Sequence, residues 1–230
     1  MKLRIISLAV LACAAIPAAP ASAQSGSRLE SKPAPTPGDP FSEDGIRTLV
    51  DRFAGCVISR HRKPVESYLK TPPDSRESER KWPSIARAEC LSIGSLTLSD
   101  AGFRGAAYGR LYKSDFGKKG PADFSNLPEI DYAVGLDPNE PVDRTNIGSR
   151  ALADCMVRTA PVDAKTLILS RIASEEEMAA FRALNPAGAS CMRLGVTVSF
   201  SKSALRALIG EALYRLSAAR RAAAREAGND

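Results

Sequence analysis

The sequence predicts an all-α, mainly helical protein with a short β pairing, built as two tandem pseudo-equivalent helical repeats with one disulfide each. Three observations predict it. Apolar residues return at helical spacing in one segment after another. Four cysteines beyond the N-terminal segment, Cys56, Cys90, Cys155 and Cys191, fall into two pairs of nearly equal spacing. The chain also aligns with itself, first at a shift of 99 residues and later at 102.

Residues 1–23 have the three parts of a signal peptide. Met1-Lys2-Leu3-Arg4 is positive, Ile5 to Ile16 is apolar, and Pro20-Ala21-Ser22-Ala23 ends in an A-x-A site before Gln24. The apolar run is too short to span a bilayer. Val10-Leu11-Ala12-Cys13 fits a lipoprotein site poorly. No later stretch is apolar over a membrane-spanning length, so no transmembrane segment is expected. The expectation is a periplasmic or secreted protein cleaved after Ala23. Residues 24–42 are rich in Pro, Ser and Gly and read as a flexible tether.

The first repeat is placed at residues 43–115. A helix begins near Ser42, with Ile46, Leu49, Val50, Phe53 and Val57 on one face. Pro64 suits the first turn of a second helix through Tyr68 and Leu69. Pro72-Pro73 stops it, and Ser75 caps a third helix running toward Ala88. Ser95-Leu96-Thr97-Leu98 alternates like a short strand. The closing helix contains Gly102, Gly105 and Gly109, so it is weak or closely packed by a neighbour.

Residues 116–145 are Gly/Pro-rich and acidic and form the inter-repeat linker. It is either mobile or wrapped across both repeats, with Ile130 and Tyr132 as anchors. The second repeat covers residues 146–227. Its first helix is expected over about Ile147 to Arg158, and Pro161 starts the second. Ser174-Glu175-Glu176-Glu177 is a capping box for the third, whose apolar face holds Phe181 and Leu184. Asn185-Pro186-Ala187-Gly188 reads as a helix breaker before Cys191. Val196-Thr197-Val198-Ser199-Phe200 is the second strand candidate. The closing helix carries Leu205, Leu208, Ile209, Ala212, Leu213 and Leu216 on one face, and Ala218 to Ala227 extends it outward.

Four cysteines allow three pairings. The self-alignment selects one. It sets Phe53-Ala54-Gly55-Cys56-Val57 on Leu152-Ala153-Asp154-Cys155-Met156, Ser75 on Ser174, Trp82 on Phe181 and Phe103-Arg104 on Leu205-Arg206. Both cysteines then occupy equivalent places in each repeat, which predicts Cys56–Cys90 and Cys155–Cys191. With one histidine and no C-x-x-C, a zinc site or thioredoxin-like motif is not expected.

Composition sets further limits. With 44% hydrophobic and 25% charged residues the chain is that of a folded protein. Aromatics at 6% argue against stacking platforms for nucleic acid, as does export. The charge of +6 loses Lys2 and Arg4 with the leader, leaving a mild excess that permits an anionic partner without requiring one. Ser67-Tyr68-Leu69-Lys70 spells S-x-x-K, but the S-D-N and K-T-G boxes that go with it are absent. His61 lies in the basic stretch Arg60-His61-Arg62-Lys63 and reads as a solvated residue. Glu175 to Glu177 suit a helix start, and Glu211 is an acid at a buried edge. Arg215, Arg220, Arg221 and Arg225 suit a solvated helix end. No catalytic, cofactor-binding or metal residue is assigned.

The order of helix, cysteine, proline-started helix, serine cap, second cysteine, strand and a helix ending in Leu-Tyr resembles a group of uncharacterised exported alphaproteobacterial proteins. The resemblance covers about residues 43–115 and 146–217 and implies no reaction or cofactor. The first repeat departs from it at Trp82-Pro83 and at its glycines. The functional expectation is a non-enzymatic envelope protein that binds another envelope protein or a cell-surface component. The alternatives are an envelope hydrolase using Ser67 and Lys70, and a periplasmic holdase. No oligomeric state is read from the sequence.

Overall fold

The computed structural model describes residues 42–91, 96, 98–192 and 198–227, and among them are seven α-helices and no strand. Serine hydroxyls open five of the helices by accepting the amide three residues on. Ser42 starts α1 (Glu43–Leu69), Ser75 starts α2 (Arg76–Lys81) and Ser99 starts α3 (Asp100–Asp115). Ser174 starts α6 (Glu175–Cys191) and Ser201 starts α7 (Lys202–Glu226). Prolines at the first helical position open α4 (Pro141–Thr159) and α5 (Pro161–Leu169), where no amide donor is needed.

Two hydrophobic cores form. One gathers Phe53, Val57, Val65, Tyr68, Ile85, Phe103 and Leu111. The other gathers Val157, Leu167, Leu184, Ile209, Leu213 and Leu216 with Phe124 and Leu127. Tyr214 packs against both. Disulfides join Cys56 to Cys90 and Cys155 to Cys191, with Cα–Cα separations of 5.6 and 5.9 Å. Between the cores α3 lies on α7 so closely that a Cβ on Gly105 would stand 2.1 Å from that of Ala207. Of the α3 glycines, Gly105 thus serves close packing by a neighbour, while a Cβ on Gly109 would meet nothing within 4 Å.

Several local devices recur at the offsets 99 and 102. The chain kinks at His61 (φ −134°, ψ 43°) and again at Ala160 (φ −134°, ψ 63°). It turns left-handed at Asp74 (φ 52°) and Ala173 (φ 63°), each just before a capping serine. Arg104 donates to the carbonyls of Tyr68 and Leu69 and to the Thr71 hydroxyl. Arg206 donates to the carbonyls of Leu167 and Ile168 and to the Ser170 hydroxyl. Each arginine thereby satisfies carbonyls left open where a helix ends.

A carboxylate completes each arrangement, but it comes from a different place. Asp100 of α3 accepts from Arg104 and from the Asp74 amide, at 2.7 and 2.9 Å. Glu177 of α6 accepts from Arg206 and from the Ala173 amide, at 2.8 and 2.9 Å. Glu177 is fully buried and also takes Arg47 of α1, tying the N-terminal helix to the second core. Holding the amide of a left-handed residue offsets the backbone strain there.

Pro64 keeps its expected place: α1 is two helical pieces joined across the non-helical residue His61, and Pro64 lies in the first turn of the second piece, which ends at Leu69. A proline ring crowds the carbonyl four residues back, and the bend lets that of Arg60 turn aside. The structure corrects several expectations. The third helix of the first half stops at Lys81, where Trp82-Pro83-Ser84 tightens to a 3₁₀ turn. Asn185-Pro186-Ala187-Gly188 does not break α6, which holds to Cys191 because Leu184 and Ala187 are buried on its inner face. The capping box is shifted: Ser174 accepts from the Glu177 amide, while Glu177 reaches Ala173 instead of the cap itself. The first helix of the second half begins at Pro141, inside the expected linker. Ile46 is 46% exposed, so the inner face of α1 begins later than the apolar pattern suggests.

The linker is anchored. Phe124, Leu127 and Tyr132 are buried, and Ile130 packs on the second core. Arg158 holds the carbonyls of Phe124, Leu127 and Pro128 at 2.8 to 2.9 Å. Of the two strand candidates, Ser95, Thr97, Val196 and Thr197 lie outside the described residues.

Candidate functional site

The C-terminal end of α1 and its Thr71–Pro73 turn form one wall of a cleft of about 550 Å³. Helices α3, α4 and α7 and the linker around Tyr132 form the rest. A volume of this order suits a small organic ligand or one side chain of a partner. Arg104 is immobilised in the α1 wall, since its nitrogens are spent on Asp100, Thr71 and three carbonyls. Its guanidinium also lies 4.7 Å over the Tyr68 ring.

Across the cleft the balance differs. Arg150 of α4 is 9% exposed and its Nε donates to Glu211 Oε2 at 3.1 Å. Among the described residues nothing accepts from its two terminal nitrogens, yet neither is sealed from solvent. Arg150 lines both this cleft and a second cavity. Arg215 donates to the other oxygen of Glu211 at 3.3 Å and lies 4.9 Å over the Tyr132 ring. One carboxylate therefore serves two guanidiniums, and the site keeps a positive excess. Lys70 adds a cation at the exposed rim.

The tyrosines of the cleft are donors. Tyr108 gives its hydroxyl to the Leu69 carbonyl at 3.2 Å and Tyr132 gives its own to Asp154 at 3.1 Å. Burial first, and then nearby Glu211, pushes Tyr108 up to about 12. Burial, with Asp154 next, raises Tyr132 as well. Both remain neutral phenols at physiological pH. Among the described residues the only aliphatic hydroxyl lining the cleft is that of Thr71, which already donates to the Tyr68 carbonyl and accepts from Arg104.

The residues singled out from the sequence are scattered. Ser67 and Lys70 are both exposed on one end of α1, and the Ser67 carbonyl accepts from Lys81. His61 sits at the kink with Nε2 3.6 Å from Glu89. Glu175 and Glu176 stand in the first turn of α6. Arg221 lies 4.0 Å over the Phe116 ring and donates to the Asp115 carbonyl, joining the tail of α7 to the end of α3. Arg220 and Arg225 are exposed. Of these residues, Lys70, Glu211 and Arg215 line the cleft.

Arg150 was missed from the sequence, because an arginine 61 residues from its partner carries no local signature. Among the described residues no cluster of acids, cysteines and histidine could hold a metal ion, and no helix is long and apolar enough to cross a membrane. No protein-family model, curated protein or solved structure matches the chain.

Proposed function

We propose that this is an exported, non-enzymatic binding protein of the cell envelope, and that the cleft receives its ligand or a group of its partner. The observation that carries the reading is Arg150, a buried guanidinium whose outer nitrogens are left unspent beside a cavity. Solvent reaches these donors in the open cleft, and an acceptor on a ligand could take its place. The two disulfides suit an oxidising compartment, in keeping with the signal-peptide pattern of residues 1–23 and with the resemblance to exported proteins. The partner is taken to be another envelope protein or a cell-surface component. The halves are taken as duplicated copies, a view supported by the kinks, left-handed residues and arginine clamps that recur at constant offsets.

The test is cross-linking of the tagged protein in its own cells, with Arg150→Gln beside the wild type. One dominant envelope partner, weakened by the substitution, is the expected result. Recovery of a diffuse set of unfolded proteins, indifferent to Arg150, would favour a holdase. Turnover of an ester or β-lactam that disappears in Ser67→Ala would remove the non-enzymatic reading.

A further inference from the structure

We infer that the group bound in the cleft is a carboxylate on a compact apolar or aromatic body, gripped by the two terminal nitrogens of Arg150. The inference rests on the proposal that the cleft is the binding site and adds the chemistry of what enters it. Glu211 holds the Nε of Arg150 at 3.1 Å, which fixes the guanidinium plane. The donors that remain are the paired N–H groups of its outer edge. Two parallel donors in one plane match the two oxygens of a carboxylate.

Charge favours the same ligand. Glu211 is shared with Arg215, so neither guanidinium is neutralised in full. Glu66 is paired outward with Arg62, and Asp131 is exposed and accepts from the Ala133 amide. Neither acid is paired with Arg150; Asp74, which lies within its electrostatic reach, lines the second cavity and not this cleft. The body of the ligand would meet Tyr108, Tyr214, Leu69, Leu111 and Ile130. Phosphate fits less well: Arg104 has no spare nitrogen, and the lining residues come from helix interiors, the turn after α1 and the linker, none of them from the first turn of a helix.

The experiment is calorimetric titration of the full mature chain with phenylacetate, phenylacetamide and inorganic phosphate. The expected result is saturable binding of phenylacetate, at least about tenfold tighter than the isosteric amide, and no comparable binding of phosphate. Arg150→Lys keeps the charge but loses the two-pronged edge and should weaken phenylacetate by about tenfold. Arg110→Lys, on a guanidinium paired with Asp51 away from the cleft, should not. The acid–amide comparison needs only the wild type, so it stands even if Arg150→Lys fails to fold. Equal binding of acid and amide, preference for phosphate, or no saturable binding of phenylacetate would each overturn the inference. If cross-linking still captures a partner through Arg150 in that case, the binding reading survives and only the carboxylate is lost.

Discussion

Two glycines one helical turn apart should respond to alanine with opposite signs. On α3, a Cβ at Gly105 would stand 2.1 Å from Ala207 Cβ and 2.6 Å from its Cα. Non-bonded carbons settle at about 3.5–4.0 Å, so α3 and α7 would have to part by about 1.5 Å. Overpacking of this kind costs about 1–3 kcal/mol, while replacing a helical glycine by alanine returns about 1 kcal/mol. Because the clash includes the Ala207 backbone, the upper half of the overpacking cost applies, and the net expectation for Gly105→Ala is a loss of about 1–2 kcal/mol, or roughly 3–6 °C in Tm for a chain of this size. At Gly109 an added Cβ meets nothing within 4 Å, so Gly109→Ala should gain about 0.5–1 kcal/mol. Combining Gly105→Ala with Ala207→Gly should recover only part of the loss, because the Ala207 Cα still stands at 2.6 Å. Urea unfolding followed by circular dichroism at constant slope measures all three. A Gly105→Ala protein at least as stable as the wild type would refute the crossing.

Other expectations concern the clamps, the staples and the buried phenols. Glu177→Ala leaves Arg47 and Arg206 without their shared carboxylate and should cost about 3–5 kcal/mol, read as a fall in urea midpoint. Opening either disulfide releases a loop with cysteines 34 or 36 residues apart, worth about 4 kcal/mol on the chain-entropy model. An unchanged melting curve after complete reduction would contradict this. Burial pushes Tyr112 up to about 12, above its ordinary value near 10. Its contribution is therefore complete below pH 10 and is lost as pH rises toward 12, because the unfolded chain releases the proton first. Tyr112→Phe should flatten the alkaline loss of stability. It should cost nothing at pH 7, since the buried hydroxyl has no partner among the described residues.

Much of the fold was legible because it is written locally. Serine caps, the apolar stripe of α7 and the spacing of the cysteines are patterns within a few turns or within one self-alignment. Pro186 misled because a buried face outweighs one lost backbone bond and a ring clash. The linker looked undecided because its anchors, Phe124 and Leu127, are single apolar residues without period, and Arg158 that pins their carbonyls lies about thirty residues on. The sequence places Glu211 on a buried edge but carries no sign of its partners Arg150 and Arg215. The alignment did place Arg104 on Arg206. Two arginines kept in register amid glycines and leucines were the one signal that side-chain-to-backbone clamps existed.

Both staples are local: each closes within one half, and neither crosses residues 116–140. A protease cutting in that stretch would leave two separately cross-linked pieces with no covalent bond between them. Their cohesion would then depend on α3 lying on α7, on Tyr214 packed into both cores, and on the Arg47–Glu177 pair. Survival of a nicked molecule then becomes a question of dissociation constant, and dilution alone would decide whether it stays whole.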